Sequence, residues 1–422
     1  MKNSNAQKSI FQKLLILILG FGPGIFAIGY TIGTGSVTSM IVAGSTYGMD
    51  LLWVLLISCL FSGLLMYSYG KYALVTGETA LYGFKNHIKG GRIIAILIII
   101  GISFGQWNSL IGIMGISANL IFEILIIYFP SLVGHKYEVV LLIAVVVIGI
   151  MYSLLLVGKY TFFEKILILF VTIMALSFLF SLFFVHPLPA EIVQGLVPKI
   201  PQVEGGQMMV VAFVGTTMAA ATFLSRPLFI QGKGWTMKDW KLQRKDAIIA
   251  ATLVFIISAT IMSVAHGALF HQGKPVTQVL DMAGTLEPMA GKLGLTLFFF
   301  GTLSAGLSSI FPCMMIAPLL LADYQSGKLD ASSKQFRIIT GIASIAALTV
   351  PVFGANPIQI QILSQVFNVF VLPLVILSII LMLKNKNVMK DHTTHIGIYV
   401  GLILALLFAC IISYNGIIAL MN

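Results

Sequence analysis

Eleven apolar runs of about twenty residues or more leave this chain few ways to fold. They cover about 12–48, 50–76, 92–129, 138–158, 162–186, 206–232, 246–270, 290–323, 336–353, 358–383 and 395–420. In a bilayer every backbone N–H and C=O needs a partner within the protein, so a spanning segment is a helix or part of a closed barrel. Runs of this length suit helices of about 20 residues and not barrel strands of about 10. Charged residues make up 9% of the chain, against about 25% in a soluble domain. The expectation is an all-α integral membrane protein with eleven transmembrane helices, a single domain over 1–422 in the lipid bilayer of the cell membrane. The first run is too long, and too closely followed by others, for a cleaved signal peptide.

The net charge of +11 gives topology and does not point to nucleic acid. Place the N-terminus inside. The inner segments then hold Lys2, Lys8 and Lys13, the Lys71–Arg92 group, Lys159 and Lys165, the Lys233–Lys245 group, Lys328, Lys334 and Arg337, and Lys384, Lys386 and Lys390. These are 20 of the 25 basic residues; the outer segments hold Lys136, Lys199, Lys274 and Lys292, and Arg226 lies inside the sixth run. Such a bias predicts a cytoplasmic N-terminus and an outside C-terminus. Cys59, Cys313 and Cys410 are scattered through the runs and form neither metal-ligand spacing nor a disulfide framework. They read as small apolar packing residues.

Two runs are poor material for continuous helices. Thr31-Ile32-Gly33-Thr34-Gly35-Ser36-Val37-Thr38-Ser39 joins two glycines to five small hydroxyl side chains. A break there serves a helix whose loose backbone lines a polar cavity, as in many secondary transporters; a small-residue packing face is the alternative. The sixth run repeats the pattern from Val214 to Pro227, and Pro227 cannot donate the hydrogen bond a continuous helix needs. Five runs separate the starts of the two. An inverted repeat is predicted, 12–186 and 206–383, with 395–420 as an extra helix.

Further polar residues sit at membrane depth. The third run holds Gln106, Trp107, Asn108 and Ser109; the eighth holds Ser304 to Ser309. In the tenth, Gln361, Ser364, Gln365 and Asn368 are spaced by three and four and share one face, which should look inward because amides in lipid are costly. Glu123, Glu164 and Asp323 lie toward the ends of their runs and suit structural or gate roles better than ligation.

On these residues the chain resembles the NRAMP family of divalent-metal transporters, from about Gly22 to Asp391. The likeness is carried by Gly22-Pro23-Gly24, Ala43-Gly44 to Trp53, Thr76-Gly77-Glu78, Gly195 to Pro198, Ala305 to Ser309, and Pro357 to Gln365. It implies the leucine-transporter-like 5+5 inverted repeat with broken first and sixth helices. The family's metal-site residues are mostly missing. Its Asp-Pro-Gly-Asn falls on Gly33-Thr34-Gly35-Ser36, and its Met-Pro-His-Asn on Ala219-Ala220-Ala221-Thr222. The family's next His matches Arg226, and its third-span acids fall near Ser109 and Gly112. The tenth-span Gln survives as Gln365.

The resemblance places substrate at Gly33, Thr34, Ser36, Ala219, Thr222 and Gln365, with Thr31, Ser308 and Ser309 as coupling-ion candidates and Arg226, Asn108, Ser109 and Asn368 on the gates or pathway. A transition metal needs anionic or soft ligands. None is assigned, and no cofactor is implied. Neutral oxygens suit a hydrated cation such as Mg2+, which keeps several waters, and the loss of the Met ligand resembles the magnesium-transporting branch of the family. Arg226 can pair with an acid, snorkel, or attract an anion. The expected activity is movement of an inorganic cation by alternating access. The alternatives are a sodium-coupled carrier of an anion or small organic solute, and a non-transporting sensor, against which the lack of an appended soluble domain weighs. No His-Glu-x-x-His, paired Asp or activated Ser suggests an enzyme. The oligomeric state is left open; a monomer suffices.

Overall fold

A computed structural model describes residues 23–156, 160–185, 189–201, 205–273, 275–277, 281, 287–328 and 332–421. The N-terminal tail, residues 12–22 of the first run, Lys159, Pro187, Glu204 and Lys274 lie outside the described residues. Among the described residues there are helices and no strands. Ten helical spans are long and apolar enough to cross a bilayer, and a bent pair makes an eleventh.

That pair is α1 (Pro23–Thr31) and α2 (Thr34–Tyr47), which meet at 48° across Ile32 and Gly33. Gly33 is extended there, and no side chain caps α2. Then come α3 (Leu52–Thr76), the short α4 (Ala80–His87), α5 (Gly91–Tyr128), α6 (Lys136–Leu156), α7 (Tyr160–Val185) and the surface helix α8 (Pro189–Gln194). Gly77, in the left-handed region at φ 70°, closes α3 and turns the chain into α4.

The sixth span is also broken. α9 (Gly206–Thr217) ends at Met218, and α10 (Ala220–Gly232) begins after the extended Ala219. Pro227 is not at this break; it lies inside α10. The interruption falls eight residues earlier, where the end of α9 is held by other segments. Ser62 donates to the Thr217 carbonyl at 2.7 Å, and Thr216 Oγ1 donates to the Thr31 carbonyl at 3.4 Å. Gly215 lets α9 approach the helix that carries Gln365: a Cβ there would strike the backbone carbonyl of Gln365.

The rest follows as α11 (Trp240–Leu269), α12 (Glu287–Ser326), α13 (Lys334–Ala347), α14 (Thr349–Phe353), α15 (Pro357–Val369), α16 (Leu372–Lys384), α17 (Lys386–Met389) and α18 (Ile396–Met421). Asn356 caps α15 by accepting from Ile358 N at 3.0 Å, ahead of Pro357 at the first helical position. The tenth span, expected as one helix, is interrupted at Phe370–Val371, just before Pro373.

Burial orders the bundle. The sixth span is almost wholly buried and the eighth nearly so, whereas the fourth, fifth and eleventh expose much of their surface. Their outward residues are apolar, among them Leu142, Val146, Leu169, Phe183, Leu404 and Ile411, as a lipid-facing surface requires. α1, α2, α9 and α10 thus form the centre, against α5, α12 and α15.

Candidate functional site

The two breaks face each other, and a cavity of about 20 Å3 lies between them. It is lined from α1, α2 and their junction by Tyr30, Thr31, Gly33, Gly35 and Ser36, and from α5 by Gln106, Ser109 and Ile113. The sixth span gives Thr216 and Ala219, α12 gives Ser309 and Cys313, and α15 gives Gln361, Gln365 and Asn368. Every one of these residues is buried. A water needs about 10–15 Å3, so the space is that of one small guest.

The wall is a chain of neutral hydrogen-bonding groups. Cys313 Sγ contacts Gln106 Oε1 at 3.5 Å, Gln106 Nε2 donates to Asn368 Oδ1 at 3.0 Å, and Asn368 Nδ2 donates to Gln365 Oε1 at 3.3 Å. The Gln361 amide lies 2.9 Å from Ser109 Oγ. With its oxygen turned toward α2 it also accepts from Gln365 Nε2 at 3.0 Å and from Gly35 N at 3.3 Å. Gly35 has to be glycine for this: a Cβ would collide with the side-chain amides of both Gln361 and Gln365. Tyr30 and Ser36 keep buried hydroxyls with no partner among the described residues. Among the described residues no Asp, Glu or His lines the cavity.

Helix ends add partial charge. α2 and α10 both start at the cavity, at Gly33 and Ala219, without side-chain caps. α1 and α9 end beside them. N–H groups and carbonyls from four helix termini therefore converge on one neutral pocket.

The structure brings together most of the predicted residues. Thr31, Gly33, Ser36, Ser109, Ala219, Ser309, Gln365 and Asn368 line the cavity. Ala219, and not Met218, occupies the lining position in the sixth span. Thr34, Thr222 and Ser308 are buried beside it without lining it. Thr34 lies against Gly306, where a Cβ would stand 3.1 Å from its methyl. The serines of α12 reach the Gly29 carbonyl: Ser309 donates to Gly29 O at 2.9 Å and Ser308 to the same oxygen at 3.4 Å, while Thr31 O accepts from Thr216.

Two pathway residues sit elsewhere. Asn108 turns outward and donates to Phe104 O in its own helix at 2.8 Å. Its place in the cavity is held by Gln106, which stands three residues before Ser109 and shares its face. Arg226 is fully buried and pairs with Asp246 at 2.7 Å; Asp246 also accepts from Gly24 N at 2.9 Å. Of its three possible roles Arg226 takes the pairing with an acid. The other deep acids are paired as well: Glu123 with Lys136 at 3.5 Å, and Glu164 with Lys233 at 2.5 Å. Asp323 accepts from Leu81 N and Tyr82 N at 3.1 and 3.0 Å. Cys313 is more than a packing residue, since it carries the one thiol in the cavity wall.

Comparison with known proteins agrees with this architecture. A family model described as natural resistance-associated macrophage protein-like matches residues 24–419. A divalent metal cation transporter, MntH of Mycobacterium leprae, is 25% identical, covering 89% of this chain and 85% of its own. The crystal structure of a manganese transporter from Eremococcus coleocola superposes with a TM-score of 0.73 at 15% identity, covering 100% of this chain and 92% of that one. MhsT, crystallised with L-phenylalanine, gives a TM-score of 0.65 at 14% identity, covering 96% of this chain and 98% of that one. The fold is thus the leucine-transporter-like inverted repeat, with the first and sixth helices broken.

Proposed function

The chain belongs to the natural resistance-associated macrophage protein-like family, and on that basis we propose that it carries a divalent cation across the membrane with part of the ion's water retained. The observation that carries this reading is the neutral cavity wall: hydroxyls, amides, backbone carbonyls and one thiol, with no Asp, Glu or His among the described residues. Relatives in the family are named for manganese and divalent metals. A stripped transition ion draws on anionic or soft ligands, and the Cys313 sulfur is here engaged with Gln106. Mg2+ surrenders its waters reluctantly and is content with neutral oxygens through them. A cavity of about 20 Å3 is too small for a hydrated ion, so α15 and the α1–α2 junction must part during the cycle. The substrate residues of this proposal are Thr31, Ser36, Ser109, Gln361, Gln365 and Asn368, with Gly33, Gly35 and Ala219 giving backbone access.

Coupling to protons finds no carrier in this wall. Ser308 and Ser309 gathered on the Gly29 carbonyl support a sodium site instead. The orientation that goes with the proposal has the N-terminus in the cytoplasm. A second reading, a sodium-coupled carrier of an anion or small organic solute, draws on the two uncapped helix N-termini that open on the cavity.

Uptake by purified protein in liposomes tests both. Mg2+ uptake without Mn2+ uptake, indifferent to pH and raised by an inward sodium gradient, is the expected result. Gln365→Ala is expected to weaken apparent affinity about tenfold, as loss of a buried polar contact of about 1.4 kcal/mol would. Proton-driven Mn2+ uptake would overturn the neutral-site reading. No uptake of either ion by folded protein would leave the solute carrier standing.

A further inference from the structure

Three metal-ligating side chains come together far from the central cavity. Glu191 lies in α8, His266 in the last turn of α11, and His271 in the turn Phe270–Gln272 that follows. His266 Nε2 is 2.7 Å from Glu191 Oε2, and His271 Nε2 is 3.5 Å from Glu191 Oε1. The three ligand atoms lie within 4.8 Å of one another. The two imidazole rings are 5.0 Å apart, centre to centre. His266 is buried, Glu191 half-buried and His271 exposed, so the cluster has an anchored wall and an open side. The hydrogen bond from His266 is the largest of the causes that hold the Glu191 carboxyl below its ordinary range.

The separations suit a small ion. Ligand atoms at about 2.0–2.1 Å from a tetrahedral Zn2+ stand about 3.3 Å apart. The His271–Glu191 separation is already near that value. The His266–Glu191 contact, made through the other carboxylate oxygen, has to open by about half an ångström, and the remaining pair lies within 4.8 Å; Glu191 stands on the six-residue surface helix α8. Two imidazoles and one carboxylate are a donor set that favours Zn2+, Ni2+ or Cu2+ over Mn2+ and Mg2+.

We propose that Glu191, His266 and His271 form a surface site for a divalent transition metal of the Zn2+ type, with water in the fourth position, which fastens α8 to the end of α11. This site is separate from the cavity and independent of what the cavity carries. Its affinity is expected to be moderate. Nδ1 of His266 is buried near Gly48 with no acceptor among the described residues, and an imidazole ligand lacking such a partner binds about 10- to 100-fold more weakly.

The test uses metal-free, full-length protein in detergent, titrated with Zn2+ and, for a visible spectrum, with Co2+. One equivalent of Zn2+ is expected to bind and to raise Tm, and Co2+ to give the absorption of a four-coordinate site. His271→Ala should weaken Zn2+ binding at least tenfold and abolish most of the Co2+ absorption, with Tm unchanged in the absence of metal. Gln365→Ala, in the cavity, should bind Zn2+ as the wild type does. Equal Zn2+ affinity in wild type and His271→Ala overturns the site, as does a loss of the same size in Gln365→Ala. Should His271→Ala fold poorly, Glu191→Gln carries the same test.

Discussion

Arg226 and Asp246 are the ion pair with both partners buried among the described residues. Taking two charges out of water is costly, and breaking such a pair from one side leaves the other charge stranded. Arg226→Met is therefore expected to cost about 3–5 kcal/mol, read as a large drop in Tm in detergent. Arg226→Met combined with Asp246→Asn should recover much of that loss, because Asn still accepts from Gly24 N. A double variant as unstable as the sum of the singles would mean that the charge pairing is not what matters. The arginine was legible as an oddity inside a span, but its partner was not: Asp246 is twenty residues away in another helix, and nothing local marks the contact. The amides tell the same story. The spacing of Gln361, Ser364, Gln365 and Asn368 foretold one buried face. Choosing between Gln106 and Asn108 needed the rotational phase of α5, which an Ile-rich helix does not announce. Cys313 gave no signal, since a lone cysteine in an apolar run looks like any small residue.

At the level of elements, composition located the breaks better than proline did. Small and hydroxyl residues marked both, while Pro227 sits within a helix and Pro373 follows an interruption that no cluster of small residues foreshadowed. The short α4 shows how one element depends on another. Its first amides, Leu81 N and Tyr82 N, are held by the Asp323 carboxylate at the far end of α12. Asp323 thus serves as a helix cap supplied from elsewhere in the chain. Asp323→Ala is expected to remove about 1.5–3 kcal/mol of charge-assisted hydrogen bonding from this joint. Hydrogen exchange should then speed up across Ala80–His87 while the middle of α12 stays protected. Unaltered exchange in α4 would mean that its own packing suffices.

For the molecule as a whole, the apolar runs determined architecture because a bilayer permits so little else, and the basic residues determined the proposed orientation. A tag after Asn422 is expected to react with an impermeant reagent on intact cells, and one before Met1 only after permeabilisation; the reverse pattern would overturn the orientation. The size of the cavity was beyond the sequence, since it depends on how five spans close on one another. One rod crosses from that cavity to the surface. α2 has 14 residues, so it is about 21 Å long, and a tilt of about 10° at Gly33 swings its other end through about 3.6 Å. That end is Gly48, packed against His266 and Phe270. The helix has the geometry of a lever with its fulcrum at the central cavity: in the proposed cycle, a tilt that barely moves the amides there becomes several ångströms of travel at Gly48.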